Sequence, residues 1–170
     1  STFTENGNDS IDLMTSDLFL YNSYIKNSGD KAISVGEGSR LLAIENRLEK
    51  NLIGVQSKDG STATLYNIDL FKNQNALDAY KKNWRYASGG YLYVSNSKII
   101  ENKKMVTADK HSKIEIYNSY FDQPIVEKDR KNRILIDYSN IFPDLEKATK
   151  PKKFWRSPKE TDTLSGFDQK

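Results

Sequence analysis

The stretch S-D-L-F-L-Y-N-S-Y-I-K-N-S-G-D-K-A-I-S-V-G-E (residues 16–37) states a pattern. The stretch after it, G-S-R-L-L-A-I-E-N-R-L-E-K-N-L-I-G-V-Q-S-K (residues 38–58), states it again. Each half holds an alternating apolar run ending in Asn, a second Asn five residues on, and a second short alternating run. Apolar and polar residues in alternation mark a half-buried strand. Two such strands and two turns in about 22 residues make one rung of a stacked array.

Outward from this pair the pattern returns. With the first Asn of each rung as anchor, the inward positions are Leu18 and Leu20 before Asn22, then Leu42 and Ile44 before Asn46. Ala63 and Leu65 precede Asn67, Leu92 and Val94 precede Asn96, and Ile114 and Ile116 precede Asn118. Ile134, Ile136 and Tyr138 form a degenerate last copy. The anchors are 24, 21, 29, 22 and 20 residues apart. A further apolar residue follows each one: Ile25, Leu48, Leu70, Ile99, Phe121 and Ile141. The second strand repeats independently through Ile11 and Leu13, Ile33 and Val35, Val55 and Ser57, Leu77 and Ala79, and Val106 and Ala108. Two separate series share one period.

A period of this length, built from short strands with Asn at corners and no helical spacing, predicts an all-β parallel β-helix. Six to seven rungs are expected over residues 1–142. Stacked Asn side chains at the corners would satisfy turn amides that are otherwise buried unpaired. Leucine-rich repeats would need several Leu and a helical segment per repeat. Antiparallel hairpins would need recurring two-residue turns, and Asp59-Gly60 is a single such pair. The long 29-residue gap comes from extra residues at 83–90, N-W-R-Y-A-S-G-G, an insertion at a turn. Beyond Phe142 the pattern stops, and residues 143–170 read as a C-terminal cap and tail. Pro143, Pro151 and Pro158 punctuate that tail, and Phe154 and Trp155 are placed to cover the open last rung. Ser1 already lies next to a repeat, so further rungs are expected upstream.

Composition narrows the function classes. Hydrophobic residues make up 36% of the 170-residue chain, which suits an elongated array with a thin core. The net charge of +3 gives no reason to expect nucleic acid as partner. No apolar run approaches the roughly 18 residues that span a bilayer. Without cysteine the chain has neither disulfides nor thiol chemistry. No Walker-type loop, dinucleotide fingerprint or zinc spacing is present.

Stacking places equivalent turn residues about 4.8 Å apart on successive rungs. The turn after the second strand then forms a column of Glu37, Asp59, Lys81 and Lys110, with Lys58, Tyr80 and Asp109 one residue earlier. Two carboxylates at that separation suit a shared cation or acid/base work, and a lysine beside another cation suits proton abstraction. Alternation of charge also stacks rungs without repulsion, so the same column reads equally as scaffold. Trp84, Arg85 and Tyr86 in the insertion, with Tyr91 and Tyr93 pointing outward beside Leu92, offer aromatic faces with a basic rim. Such faces stack on sugar rings and equally suit nucleic-acid bases. A second acidic group comprises Asp9, Asp12, Asp17 and Asp30. Asp12, Ser34, Gln56, Asp78 and Thr107 share an outward column, expected to be a solvated strand face. His111 is the only histidine, with no second metal ligand near it in sequence.

The phrases N-D-S-I-D (8–12), G-D-K-A-I-S-V-G-E-G-S (29–39) and S-K-D-G-S (57–61) carry a resemblance. Over roughly residues 8–142 the chain resembles right-handed β-helices of the pectate-lyase-like superfamily. The phrases also resemble β-helix segments of bacterial surface proteins that carry a spore-coat-H-type kinase domain. This likeness implies an extracellular or cell-surface protein whose partner is a polysaccharide or surface glycan, with further domains on the same polypeptide. It implies no cofactor for a binding or spacer role. The likeness to calcium-using lyases implies an alternative, a calcium-assisted polysaccharide lyase or epimerase acting on an acidic glycan. In that alternative Glu37 and Asp59 hold the metal and Lys58 or Lys81 is the base. The arginine expected on the next rung is missing, and Arg85 is its nearest substitute.

Overall fold

A computed structural model describes residues 1–123, 125, 134–137 and 140–141. Its strands are all short, and each one pairs in parallel with the equivalent strand one turn away. The five-stranded sheet contains β2 (Ile11–Met14), β5 (Lys31–Gly36), β8 (Ile53–Lys58), β11 (Asn75–Tyr80) and β14 (Lys104–Ala108). The six-stranded sheet contains β3 (Asp17–Tyr21), β6 (Arg40–Ile44), β9 (Thr62–Tyr66), β12 (Tyr91–Ser95), β15 (Lys113–Tyr117) and β17 (Ile134–Asp137). The seven-stranded sheet contains β1 (Thr2–Thr4), β4 (Tyr24–Lys26), β7 (Arg47–Glu49), β10 (Asp69–Phe71), β13 (Lys98–Ile100), β16 (Tyr120–Phe121) and β18 (Asn140–Ile141). Five turns carry all three strands, and partial rungs extend both ends. The architecture is the expected solenoid. Among the described residues no helix is long and apolar enough to cross a membrane. The expected cap with Phe154 and Trp155, and the anchor at Tyr138, lie outside the described residues.

The core is a set of columns. Ile25, Leu48, Leu70, Ile99 and Phe121 stack in register and are buried. Ile33, Val55, Leu77 and Val106 form a second column, matching the second series read from sequence. Each rung adds one apolar side chain to every column, so burial accumulates along the axis without a compact centre.

One rung is shifted against the sequence reading. Leu18 pairs with Leu41 and Leu20 with Ala43, so the inward pair of that rung is Leu41 and Ala43, not Leu42 and Ile44. Leu41 and Ala43 are buried within the core cluster, whereas Leu42 is half-exposed. The continuous apolar run L-L-A-I satisfies alternation in either phase, and a slip of one residue swaps the faces. The correct anchor is Glu45, which like Asn22, Asn67, Asn96 and Asn118 has a positive φ.

Asn46 instead belongs one step later, where corner side chains receive backbone amides from the rung below. The Ser23 amide donates to Asn46 Oδ1 at 2.7 Å, and the Ser97 amide to Ser119 Oγ at 3.1 Å. At the next corner a buried Asn ladder does the same work. The amides of Ser28, Asn51 and Asn73 donate to Oδ1 of Asn51, Asn73 and Asn102 at 2.9, 3.0 and 2.8 Å. The same side chains return Nδ2 hydrogens to the carbonyls of Ile25, Leu48 and Leu70. Corner groups that would be orphaned by each change of direction are thereby paired.

The outward column of Asp12, Ser34, Gln56, Asp78 and Thr107 stacks as expected. Its exposure is graded: Asp12 at one end is exposed, Asp78 and Thr107 are half-buried, and the middle is closed. Ser34 and Gln56 are buried, because Lys58 Nζ donates to Ser34 Oγ at 3.2 Å and Gln56 Nε2 donates to Asp78 Oδ2 at 2.7 Å. Burial pushes the Asp78 carboxyl above its ordinary range, against the lowering effect of the Gln56 hydrogen bond.

Candidate ligand-binding site

The corner between the five- and six-stranded sheets is where the rungs differ most. In two successive rungs it is a tight turn. Glu37-Gly38 and Asp59-Gly60 each have two consecutive positive φ values, and the amides of Ser39 and Ser61 close back on the carbonyls of Gly36 and Lys58. Glycine is suited to the second position because it carries no Cβ to clash there. Asp59-Gly60 is therefore not a lone pair: Glu37-Gly38 is the same turn one rung below.

On the next rung the chain leaves β11 and makes the 81–90 excursion before β12. Asp59 organises its start. Its side chain is buried, and Oδ1 accepts the amides of Lys82 and Asn83, both at 2.7 Å. Asp109, from the rung above, accepts the Lys81 amide at 2.9 Å. The return leg is held by glycine. A Cβ on Gly90 would lie 1.9 Å from the Ser57 carbonyl oxygen, so only glycine lets the chain pass that close. The loop is clamped at both ends by the rungs that flank it.

Trp84 rides at the tip and is 82% exposed. The Arg85 guanidinium lies 5.7 Å from the centre of its ring, at the outer range of a cation–π contact. Tyr86 is half-buried toward Gly60. Beside the loop opens a cleft of about 580 Å³, whose lining includes Ser61, Gly89, Tyr91, Lys110, His111 and Lys113. Its floor is turn backbone, and its rim carries hydroxyl, phenol and cationic groups.

The residues singled out in the sequence divide into three places. Trp84, Arg85 and Tyr86 share the loop. Tyr91 and Tyr93 stand on the outer face of the six-stranded sheet, and only Tyr91 reaches the cleft. The Tyr91 hydroxyl donates to Glu115 Oε2 at 2.6 Å; burial, then that carboxylate, pushes its pKa up. Tyr93 packs against Tyr117 with ring centres 5.2 Å apart. In the third group, Glu37 and Asp59 hold equivalent positions of successive turns, Lys58 ends β8, and Lys81 follows β11. Asp59 is nonetheless committed to two loop amides, and Lys58 lies back over Gly36 toward Ser34. Among the described residues no three His, Cys, Asp or Glu side chains converge to hold a metal.

Lys110 was visible in sequence as part of the charged column, but its place in the cleft was not, nor were those of His111 and Lys113. The signal was there: the turn after β14 is the next copy of the turn that carries the loop. Asp109 anchors that copy. Burial pushes its carboxyl up, but hydrogen bonds from the Lys81 amide, the Ser112 hydroxyl and the His111 amide outweigh it and hold it below the usual range.

With this geometry in place, comparison with known proteins returns one family. The family model described as "Right handed beta helix region" matches residues 1–121. No curated protein and no solved structure matches the chain.

Proposed function

The chain belongs to the right-handed β-helix family, and from that premise we propose that it is a non-catalytic, extracellular or cell-surface β-helix that binds polysaccharide. The loop of residues 81–90 and the adjoining cleft form the contact region. One observation carries this reading: an indole 82% exposed on a loop that Asp59 and Asp109 brace from both sides. An exposed tryptophan on an unbraced tip would be a loose surface residue. On a loop whose backbone is held by the flanking rungs, it is a flat platform next to an open cleft rimmed by hydroxyl, phenol and cationic groups, the combination that stacks on a sugar ring and bonds its hydroxyls. The rigid solenoid presents that platform away from the core, and further domains of the same polypeptide would place it at the cell surface. The lyase alternative draws less from the geometry, because two of its four residues serve the fold: Asp59 accepts two loop amides and Lys58 donates to Ser34.

The test is a glycan array read for binding and product release together, with and without calcium. Binding without turnover is expected, and Trp84→Ala should abolish most of it while the protein stays folded. Unchanged affinity in that variant removes the loop as the contact region. Turnover would restore the lyase and make Lys58 and Lys81 the next residues to substitute.

A further inference from the structure

The three outer faces of the solenoid are finished differently. On the seven-stranded sheet Phe71 is covered by cations, with the Arg47 guanidinium 5.0 Å and the Lys72 ammonium 4.7 Å from its ring centre. On the five-stranded sheet the middle column is polar, from Asp12 to Thr107. On the six-stranded sheet aromatic rings face outward: Phe19 and Tyr21 are exposed, and Tyr66, Tyr93 and Tyr117 are half-buried. Charges on that face pair within it, Arg40 with Asp17 and Lys113 with Glu115. What remains is a neutral, ring-bearing surface, the kind that marks a contact region.

Register sets these rings out along the axis. Tyr21, Ile44, Tyr66, Ser95 and Tyr117 form one outward column, paired from rung to rung. Tyrosine therefore recurs at every second rung, and at about 4.8 Å per rung the three backbone positions stand about 9.6 Å apart. Ile44 floors the first interval and the smaller Ser95 the second. Phe19 lies beside Tyr21 with ring centres 6.4 Å apart, and Tyr93 beside Tyr117 at 5.2 Å, so each end of the column is a pair of rings.

Area and spacing decide what fits. Five rungs by two columns make a patch of roughly 300 Å², against the about 800 Å² per partner of a stable protein–protein interface. A second copy laid face to face would be poorly held, whereas a narrow extended segment is matched in size. A β-strand brings same-face side chains round every ~6.8 Å, out of step with the tyrosines. A polyproline II helix turns once in three residues at about 3.1 Å each, so the same face returns every ~9.3 Å, at each tyrosine. Proline rings pack on flat aromatic faces, and their fixed φ leaves little entropy to lose on binding.

We infer that the outer face of the six-stranded sheet docks a proline-rich segment in the polyproline II conformation, with residues i, i+3 and i+6 seated on Tyr21, Tyr66 and Tyr117. The segment comes from outside these 170 residues, whose prolines, Pro124, Pro143, Pro151 and Pro158, never stand three apart. The surface is separate from the loop. Tyr91, which lines the cleft, begins β12, and Ser95 ends it about 13 Å away.

The experiment titrates the whole chain with labelled oligoprolines of four, seven and ten residues, a Gly-Ser decapeptide and a linear β-linked glucose oligomer. The three tyrosines span about 19 Å, about six polyproline II steps, so affinity should rise from four to seven prolines and level off by ten. Tyr66→Ser should weaken decaproline binding about tenfold, while Leu52→Ser, at an exposed apolar residue away from this sheet, leaves it unchanged. In the unsubstituted chain decaproline should shift the backbone amides of β9, β12 and β15 and leave those of Asn51 and Asn73 in place. Gly-Ser binding as tight as decaproline overturns the polyproline II match. Tighter binding of the glucose oligomer at the same amides overturns the peptide in favour of sugar, and a dimer that excludes the peptide overturns it in favour of a second copy. Shifts confined to other sheets, or no oligoproline binding, overturn the docking surface outright. Each of these outcomes leaves the glycan reading at Trp84 to its own test.

Discussion

Two corners of the same solenoid solve the same problem in different ways. Where the seven-stranded sheet gives way to the five-stranded one, Asn51, Asn73 and Asn102 run through the wall as a buried ladder, each rung a near copy of the last. Where the five-stranded sheet gives way to the six-stranded one, the tight turns of Gly38 and Gly60 are followed by a ten-residue excursion, residues 81–90, held by Asp59 and Asp109. At the first corner amides are satisfied by neutral amide side chains sealed from solvent. At the second they are satisfied by the carboxylates of Asp59 and Asp109. The first corner repeats and buries its ladder; the second breaks the repeat with an exposed loop.

The largest expected effect follows from breaking the ladder. Asn73→Ala removes the acceptor of the Asn51 amide and the donor to the Leu48 carbonyl, leaving both buried and unpaired. A destabilisation of about 2–4 kcal/mol is expected, read as a fall in the denaturant midpoint. Asn67→Ala gives the internal contrast. That asparagine serves a positive-φ corner, φ 53°, and makes no side-chain bond of the ladder kind. It should cost about 1 kcal/mol, because alanine lacks the short polar side chain that makes the left-handed region tolerable for asparagine. Equal costs at the two positions would remove the distinction between ladder and turn residues.

The same two asparagine jobs explain how far the sequence could be read. Period, parallel pairing and both core series were legible, because each depends only on apolar residues recurring in step. The phase of one rung was not. In the first rung the residues five apart are Asn22 and Asn27, both at positive φ. In the next they are Asn46 and Asn51, one step later, where Glu45 and Lys50 hold the positive φ positions. Asparagine suits either place, since it tolerates the left-handed region and its amide also bridges rungs. A spacing of five therefore cannot tell them apart, and L-L-A-I gives no help. The site was legible only as ingredients. The insertion announced itself as a lengthened gap and the aromatics by type. That Asp59 braces the loop, and that the turn at Lys110 shares its cleft, required knowing which rung lies over which.

Asp59 tests that bracing directly. Asp59→Ala removes the acceptor for two loop amides without touching Trp84, Arg85 or any cation of the loop. The expected cost in global stability is about 1–2 kcal/mol, smaller than at Asn73 because the freed Lys82 amide sits in an exposed loop and can turn to water. Glycan affinity should fall further than stability suggests, because the platform loses its fixed position. Affinity unchanged in a folded Asp59→Ala protein would show that Trp84 needs no brace, and the rigid-platform account would then have to be abandoned.

The smallest effect separates the corners by pH. Asp109 has its carboxyl held below the ordinary range in the folded chain, so its contribution is present at neutral pH and above. It is lost as pH falls through the folded value, beneath the roughly 3.9 of a free aspartate. Protonation would release the amides of Lys81 and His111 first. Backbone amide chemical shifts at these two residues should therefore titrate in acid, and the titration should vanish in Asp109→Asn. The amides of Asn51 and Asn73, held by neutral side chains, have nothing to titrate and should stay fixed over the same range. Acid would then loosen the corner that carries the loop while the ladder corner holds. If both sets of amides shift together, the corners are one cooperative unit, and the loop is not locally set by its own carboxylates.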